Sequence, residues 1–250
     1  MATATLPRSA EKTEIKLPGR RFDHVFFSSM AALMLVTVFV GFAKTYYLAG
    51  VFHAPLPSLI IHIHGAAFSC WILLLITQTT LVSAGRVDIH RRLGIAGFVL
   101  ASSMVVLGVL AATDSLVREA GPPGRDVKFF YVIPISAVLT FGTLIVFAFR
   151  NRFNPPAHKR LILIATTALM VAAIARWPFA IVNRQVPVAT WFSYLFLLML
   201  MVYDLWSTHK IHRATLWGSA FLVLVSQARI PIGQTAAWHS FAGWVQQLGR

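Results

Sequence analysis

The sequence predicts an all-α fold, a polytopic bundle of seven transmembrane helices. Hydrophobic residues make up 57% of the 250 residues and charged residues only 12%, whereas a soluble domain carries about 25% charged residues. The apolar residues also collect into seven runs of roughly the 20 residues needed to cross a bilayer about 30 Å thick. Segments of about ten residues with alternating hydrophobicity, the signature of a membrane β-barrel, do not occur.

Short loops separate the predicted spans and leave no room for a folded aqueous domain. Proline pairs at 122–123 and 155–156 precede the fourth and fifth spans. Pro134 and Pro178 fall inside predicted spans and are expected to bend them. The seven spans cover approximately residues 25–46, 59–82, 93–113, 128–149, 161–181, 189–206 and 215–231.

One membrane domain is expected at residues 23–232. A flexible basic tail at residues 1–22 should precede it, and a short C-terminal segment at residues 233–250 should follow it. The first span ends in Lys44-Thr45-Tyr46-Tyr47, which is typical of an interfacial anchor and unlike the small-residue end of a cleaved signal peptide. The first span is therefore expected to remain in the protein.

The distribution of positive charge predicts the orientation. Of the 22 basic residues behind the net charge of +14, 14 lie in segments that share a side with the N-terminus. The positive-inside rule therefore places the N-terminus in the cytoplasm and the C-terminus outside. The lipid bilayer and its anionic phospholipids are the expected partners of this charge, and nucleic acid is not. The 14 residues are Arg8, Lys12, Lys16, Arg20, Arg21, Arg86, Arg91, Arg92, Arg150, Arg152, Lys159, Arg160, Lys210 and Arg213.

A histidine beside basic residues opens every second span. Seven residues further along each helix, on the same face, the residue is always small, and small residues permit close helix contacts in membranes. These histidines are therefore expected to face the bundle interior, where a neutral imidazole can bind a metal or haem iron. The alternative is that each imidazole caps a helix or bonds a neighbouring carbonyl. The histidines and their small partners are His24 with Ala31, His90 with Gly97, His158 with Ala165, and His212 with Ser219.

A second group of polar residues is expected near the outer side. His62 and His64 lie inside the second span, but residues two apart on a helix diverge by about 200° and cannot together chelate one ion. Arg176 follows His158 by 18 residues, so a continuous helix would return it to the same face. A cationic outer pocket of this kind would suit a carboxylate, a phosphate or a haem propionate.

Three further side chains have expected positions. Lys44 and Arg229 should reach the membrane surface by snorkelling. Asp204, inside the sixth span, should bond an imidazole of His209 or His212 and orient it, or pair with Arg213.

The candidate site residues are mostly imidazoles. His62, His64, His90, His158 and Arg176 are the candidate cofactor-binding residues, and the four histidines among them are the candidate metal ligands. No GxSxG, P-loop, HExxH or CxxC pattern occurs, so a hydrolase or an ATP-driven pump is disfavoured, and no enzymatic activity is assigned.

The chain resembles a family of uncharacterised bacterial seven-helix integral membrane proteins over nearly its whole length after the tail. Its HRRLG and HKRL elements are also similar to those of membrane proteins tied to haem and cytochrome oxidase assembly. These resemblances imply a multi-pass protein of the bacterial inner (plasma) membrane. The motifs are Ile61-His62-Ile63-His64-Gly65, His90-Arg91-Arg92-Leu93-Gly94, His158-Lys159-Arg160-Leu161 and Ile211-His212-Arg213.

The sequence leaves three function hypotheses. The first is binding of haem b or copper, in electron transfer or in cofactor insertion, with a respiratory complex or another membrane subunit as partner. The second is a non-enzymatic binder or transporter of a lipid or small anion, built around Arg176 and His64. The third is a scaffold subunit with structural histidines. The chain departs from b-type cytochromes because its inner histidines stand at helix starts.

Overall fold

The structure, a computed structural model, describes residues 19–55, 57–121 and 124–249. Residues 1–18 of the predicted tail lie outside the described residues, and the first helix begins at Gly19, inside the stretch predicted as tail. The described residues form eight α-helices and no strand. The helices are α1 (Gly19–Phe42, followed by a π-helical turn at Ala43–Tyr47), α2 (Leu59–Ser83), α3 (Val87–Val117), α4 (Val127–Arg150), α5 (Pro155–Ile174), α6 (Val186–Thr208), α7 (Arg213–Gly233) and α8 (Ala236–Leu248).

The seven-helix membrane fold is confirmed, since α1 to α7 are each long and apolar enough to span a bilayer. α1, α3, α5 and α7 begin at one end of the bundle, where side chains of α1, α5, α6 and α7 bond one another. We call this the inner end and the opposite end the outer end, following the orientation that the positive-inside rule predicts.

α5 is the central helix of the bundle. It packs against α1, α4, α6 and α7, and 13 of its 20 residues are buried. Its N-terminus is set by Pro155 and Pro156 in the first turn, where the missing N–H costs no helical hydrogen bond. Groups carried by α5 are therefore held from several sides.

The fifth span ends earlier than the sequence predicts. The expected span reaches residue 181, but α5 stops at Ile174. Pro178 explains the difference, because a proline ring clashes with the carbonyl of the residue four positions before it, here Ile174. Pro178 therefore ends this helix and does not bend it, whereas Pro134 does lie within α4 as predicted.

Small residues line the interior, as predicted from the histidine faces. Ala31, Gly97, Ala165 and Ser219 are all buried. Among the described glycines, Gly41 of α1 has the tightest surroundings, since an added Cβ would lie 2.2 Å from the carbonyl oxygen of Ala173. α1 and α5 thus meet at a distance that only glycine permits at this position.

The C-terminal segment contains a helix that sequence reasoning left undefined. Thr235 caps α8 by accepting a hydrogen bond from the backbone N–H of Trp238, and the indole of Trp238 donates to the Lys128 carbonyl. Ala242 is buried while Phe241 and Trp244 are exposed. α8 packs on α3, α4 and α7, and its exposed aromatic residues are typical of a helix lying at the outer membrane surface.

Candidate functional site

Two histidines from the first turns of α3 and α5 come close together at the inner end of the bundle. His90 is the fourth residue of α3, and His158 is the fourth residue of α5. Their ring centroids lie 6.4 Å apart, and the ring planes meet at 80°. The sequence predicts that both imidazoles point toward the bundle, and the structure adds that the two rings are neighbours in an edge-to-face arrangement.

The hydrogen bond of His158 fixes which of its nitrogens is free. Its Nδ1 lies 2.8 Å from the backbone carbonyl oxygen of Ala148, near the end of α4. A carbonyl oxygen only accepts, so Nδ1 must carry the proton. The Nε2 of a neutral ring then presents a lone pair. Metal-binding histidines are oriented in this way, with the second nitrogen donating to a backbone carbonyl.

His90 and Gln78 contribute polar atoms that lack partners. The Nδ1 of His90 and the Oε1 of Gln78 are buried and form no hydrogen bond with the described part of the chain. The Gln78 side chain reaches this end of the bundle from α2 and donates through Nε2 to the His90 carbonyl at 3.3 Å. Buried polar atoms without partners are uncommon and call for a ligand or an ordered water.

Close packing of α2 on α3 brings Gln78 to the site. A Cβ added at Gly94 would lie 3.6 Å from the Gln78 Nε2, and one added at Gly97 would lie 2.9 Å from Leu74. Both glycines lie on the helix face that the sequence assigned to His90. Gln78 is not among the site residues predicted from the sequence. Its amide side chain within an apolar span is the feature that could have indicated it.

The donor set is small and nitrogen-rich. Within the described residues, no group of three or more His, Cys, Asp or Glu side chains could hold a metal ion. The inner site therefore offers His90, His158 and the amide oxygen of Gln78, without a carboxylate or thiolate. Cys70, the one cysteine of the sequence, is exposed on α2.

The outer candidates do not form one histidine site. His62 is exposed, whereas His64 is half-buried and packs against Phe68 with ring centroids 4.1 Å apart and ring planes tilted by 36°. The two imidazoles diverge along α2, as their spacing predicts. The Nδ1 of His64 is buried without a hydrogen bond in the described chain, and Arg176 is near enough to act on its charge.

The expected roles of two arginines are reversed. Arg176 is exposed, donates to the Ala172 carbonyl at 2.7 Å and covers the Phe42 ring. It is not on the bundle-facing helix surface because α5 ends before it. Arg229, which was expected to snorkel, is only 5% exposed and donates to the Thr190 hydroxyl at 2.7 Å. It lies inside because its side chain faces α6.

Asp204 forms a buried ion pair at the inner end. One carboxylate oxygen accepts from the Arg160 Nε at 2.9 Å and Nη2 at 2.5 Å. The other accepts from the Thr215 hydroxyl at 2.5 Å and from the backbone N–H of His212 at 3.0 Å. The predicted bond to an imidazole or to Arg213 is therefore wrong, since the carboxylate points into the bundle toward α5.

The remaining inner histidines have structural surroundings. His212 caps α7, with its Nδ1 accepting from the Ala214 backbone N–H at 3.0 Å, which is the alternative role considered for these residues. Burial lowers the pKa of His212 below its usual 6.5, and the nearby Arg160 guanidinium acts in the same direction. His24 is half-buried on α1, and neither ring joins the pair of His90 and His158.

Comparisons of the chain with protein-family models, with curated proteins and with solved structures returned no match. The family resemblance of the histidine motifs therefore stays a prediction. What the fold and the site define is a multi-pass helical membrane protein with a two-histidine cluster at one end.

Proposed function

We propose that this protein binds one copper ion between His90 and His158 at the inner end of its membrane domain. The observation that carries the proposal is the pair of adjacent imidazoles. One has a buried nitrogen without a partner, and the other is oriented by a backbone carbonyl so that its second nitrogen is free.

The separation of the rings supports a shared metal. Metal–imidazole bonds are about 2.0 Å long, so two imidazoles on opposite sides of one ion have ring centres roughly 6 Å apart. The observed centroid distance is 6.4 Å. The buried Gln78 amide oxygen, which has no partner among the described residues, is available as a third contact.

The chemistry of the donors supports copper. Imidazole ligands suit copper, zinc, iron and nickel, whereas magnesium and calcium prefer oxygen ligands. A structural zinc site has four ligands from cysteine, histidine or carboxylate, and this cluster has two such ligands. A low-coordinate site of two imidazoles fits a single copper ion better than tetrahedral zinc.

The position of the site supports a role in electron transfer or in supplying copper to a respiratory complex. The imidazoles lie in the first turns of their helices, within reach of the inner aqueous side of a bacterial plasma membrane. Arg91 and Arg92 beside the site are exposed, and they supply positive charge for anionic phospholipids or an acidic partner subunit.

The test is a copper titration of the full-length protein, purified in detergent through an affinity tag that contains no histidine. Cu(I) is added under reducing conditions against a chromophoric chelator. We expect one tightly bound ion per chain. His90→Ala and His158→Ala should each weaken binding by more than the roughly 10- to 100-fold typical of second-shell changes.

His53→Ala is the matched control, because His53 is exposed in the loop before α2 and its loss should leave the affinity unchanged. Wild-type protein that binds no copper would refute the proposal. A Soret band after incubation with haemin that both site variants abolish would assign the pair to haem b instead.

A further inference from the structure

Arg229 is a buried cation without an acidic partner. It is 5% exposed in the outer half of α7, and among the described residues it takes part in no ion pair. Its Nη2 donates to the Thr190 hydroxyl at 2.7 Å. Its Nε and Nη1 donate to no side chain or carbonyl among the described residues. A charge at this depth in a membrane protein ordinarily pairs with an opposite charge.

A small cavity lies beside this guanidinium. It has a volume of about 10 Å³ and is bordered by polar side chains from three helices: Ser136 and Thr140 of α4, Thr167 of α5, and Ser226 and Arg229 of α7. The apolar part of its wall includes Val171 and Leu222. Among the residues that the structure describes, no acidic side chain borders it.

The hydroxyls around the cavity divide into two groups. Ser136 and Thr167 donate to backbone carbonyls of their own helices. Thr140 and Ser226 donate to no other group among the residues that the structure describes, so their O–H groups are available. The cavity is thus bordered by a cation and by two free hydroxyl donors.

We propose that this cavity is a binding site for a single halide ion, chloride under ordinary conditions. A halide accepts several hydrogen bonds at once, and it would neutralise Arg229 where no carboxylate does so. The volume is about that of one water-sized probe, so a single-atom halide needs the walls to move outward only slightly, whereas a carboxylate or phosphate group needs a larger displacement. The small-anion site expected at Arg176 and His64 is in this way assigned to different residues.

The test measures chloride binding to the metal-free, full-length protein in detergent. Excess broadening of the ³⁵Cl nuclear magnetic resonance line reports chloride in exchange with the protein, and bromide should compete it away. The same protein should melt at a higher temperature in chloride than in gluconate at equal ionic strength and pH, with a saturable dependence.

Arg229→Gln should lower the chloride affinity by about 10-fold or more, the usual effect of losing a charge-assisted hydrogen bond. Arg176→Gln is the matched control, since it removes the same charge from an exposed position at the same end of the bundle. It should leave both readouts unchanged, which separates the site from general attraction to a basic protein.

Two outcomes overturn the proposal. One is a wild-type protein without competable broadening, which means that the cavity holds water only. The other is a chloride response that Arg229→Gln and Arg176→Gln alter equally. If Arg229→Gln does not fold, Thr140→Val and Ser226→Ala carry the test, and unchanged chloride affinity in both variants contradicts a halide in this cavity.

Discussion

Replacing Asp204 by asparagine should destabilise the bundle strongly. The substitution keeps the size of the side chain but removes its charge. The carboxylate has no exposed surface and accepts hydrogen bonds from Arg160, Thr215 and the His212 backbone. The amide nitrogen of asparagine would replace one carboxylate oxygen and present N–H donors where that oxygen now accepts. Arg160, only 4% exposed, would keep a buried charge without an anionic partner, with its Nη1 still donating to the Pro156 carbonyl.

The expected cost is about 3–5 kcal/mol, the range found when one partner of a buried ion pair is removed. Exposed pairs contribute about 0–1 kcal/mol. Arg86 and Asp88 form such a pair at 3.8 Å, with side chains 60% and 66% exposed. Asp88→Asn is therefore the matched control and should change the free energy of unfolding by less than about 1 kcal/mol.

The assay is equilibrium unfolding in mixed micelles, followed by circular dichroism. A double-mutant cycle with Arg160→Met isolates the interaction between the two side chains. Asp204→Asn should cost clearly less when Arg160 is already methionine. A loss below about 1 kcal/mol for Asp204→Asn alone, or an equal loss in both backgrounds, would refute the reasoning.

Two further predictions concern the helix contacts and the inner cap. Gly41→Ala should lower the free energy of unfolding by roughly 1–3 kcal/mol because the added Cβ would meet the Ala173 carbonyl. Gly50→Ala is the control, since a Cβ added at Gly50 has no atom within 4 Å. Equal melting temperatures for the two variants would contradict the prediction. Because the pKa of His212 is lowered by burial, the unfolded chain binds more protons than the native protein below about pH 6.5. The protein should therefore become less stable as the pH is lowered through that range. His212→Asn keeps a hydrogen-bond acceptor at the cap and should make this loss of stability smaller. Parallel pH profiles of the melting temperature for the wild type and the variant would contradict this prediction.

Much of the fold could be predicted because crossing a membrane imposes a simple requirement on the chain. The seven apolar runs correspond to α1 to α7, and the small residues opposite the four histidines are buried. Helix ends were harder to place, since a proline within an apolar run is compatible with a bend or with a stop. Here α5 stops at Ile174, four residues before Pro178, so Arg176 lies beyond the helix and away from its expected face.

The histidine pair illustrates what a single sequence leaves open. The face of His90 and the face of His158 followed from helical periodicity, but their meeting depends on which helices are neighbours. α4 lies between α3 and α5 in the chain, and its end supplies the Ala148 carbonyl that orients His158. Arg229 was misplaced for a related reason, because its rotation about α7 was not fixed by the sequence.

The most direct test of the central proposal is X-ray absorption at the copper edge of Cu(I)-loaded, full-length protein. Binding between His90 and His158 predicts two nitrogen ligands at about 2.0 Å, with the multiple scattering of imidazole rings, and loss of this signal in His158→Ala. A spectrum dominated by sulfur ligands at about 2.3 Å, or unchanged by His158→Ala, would contradict a copper site at this pair.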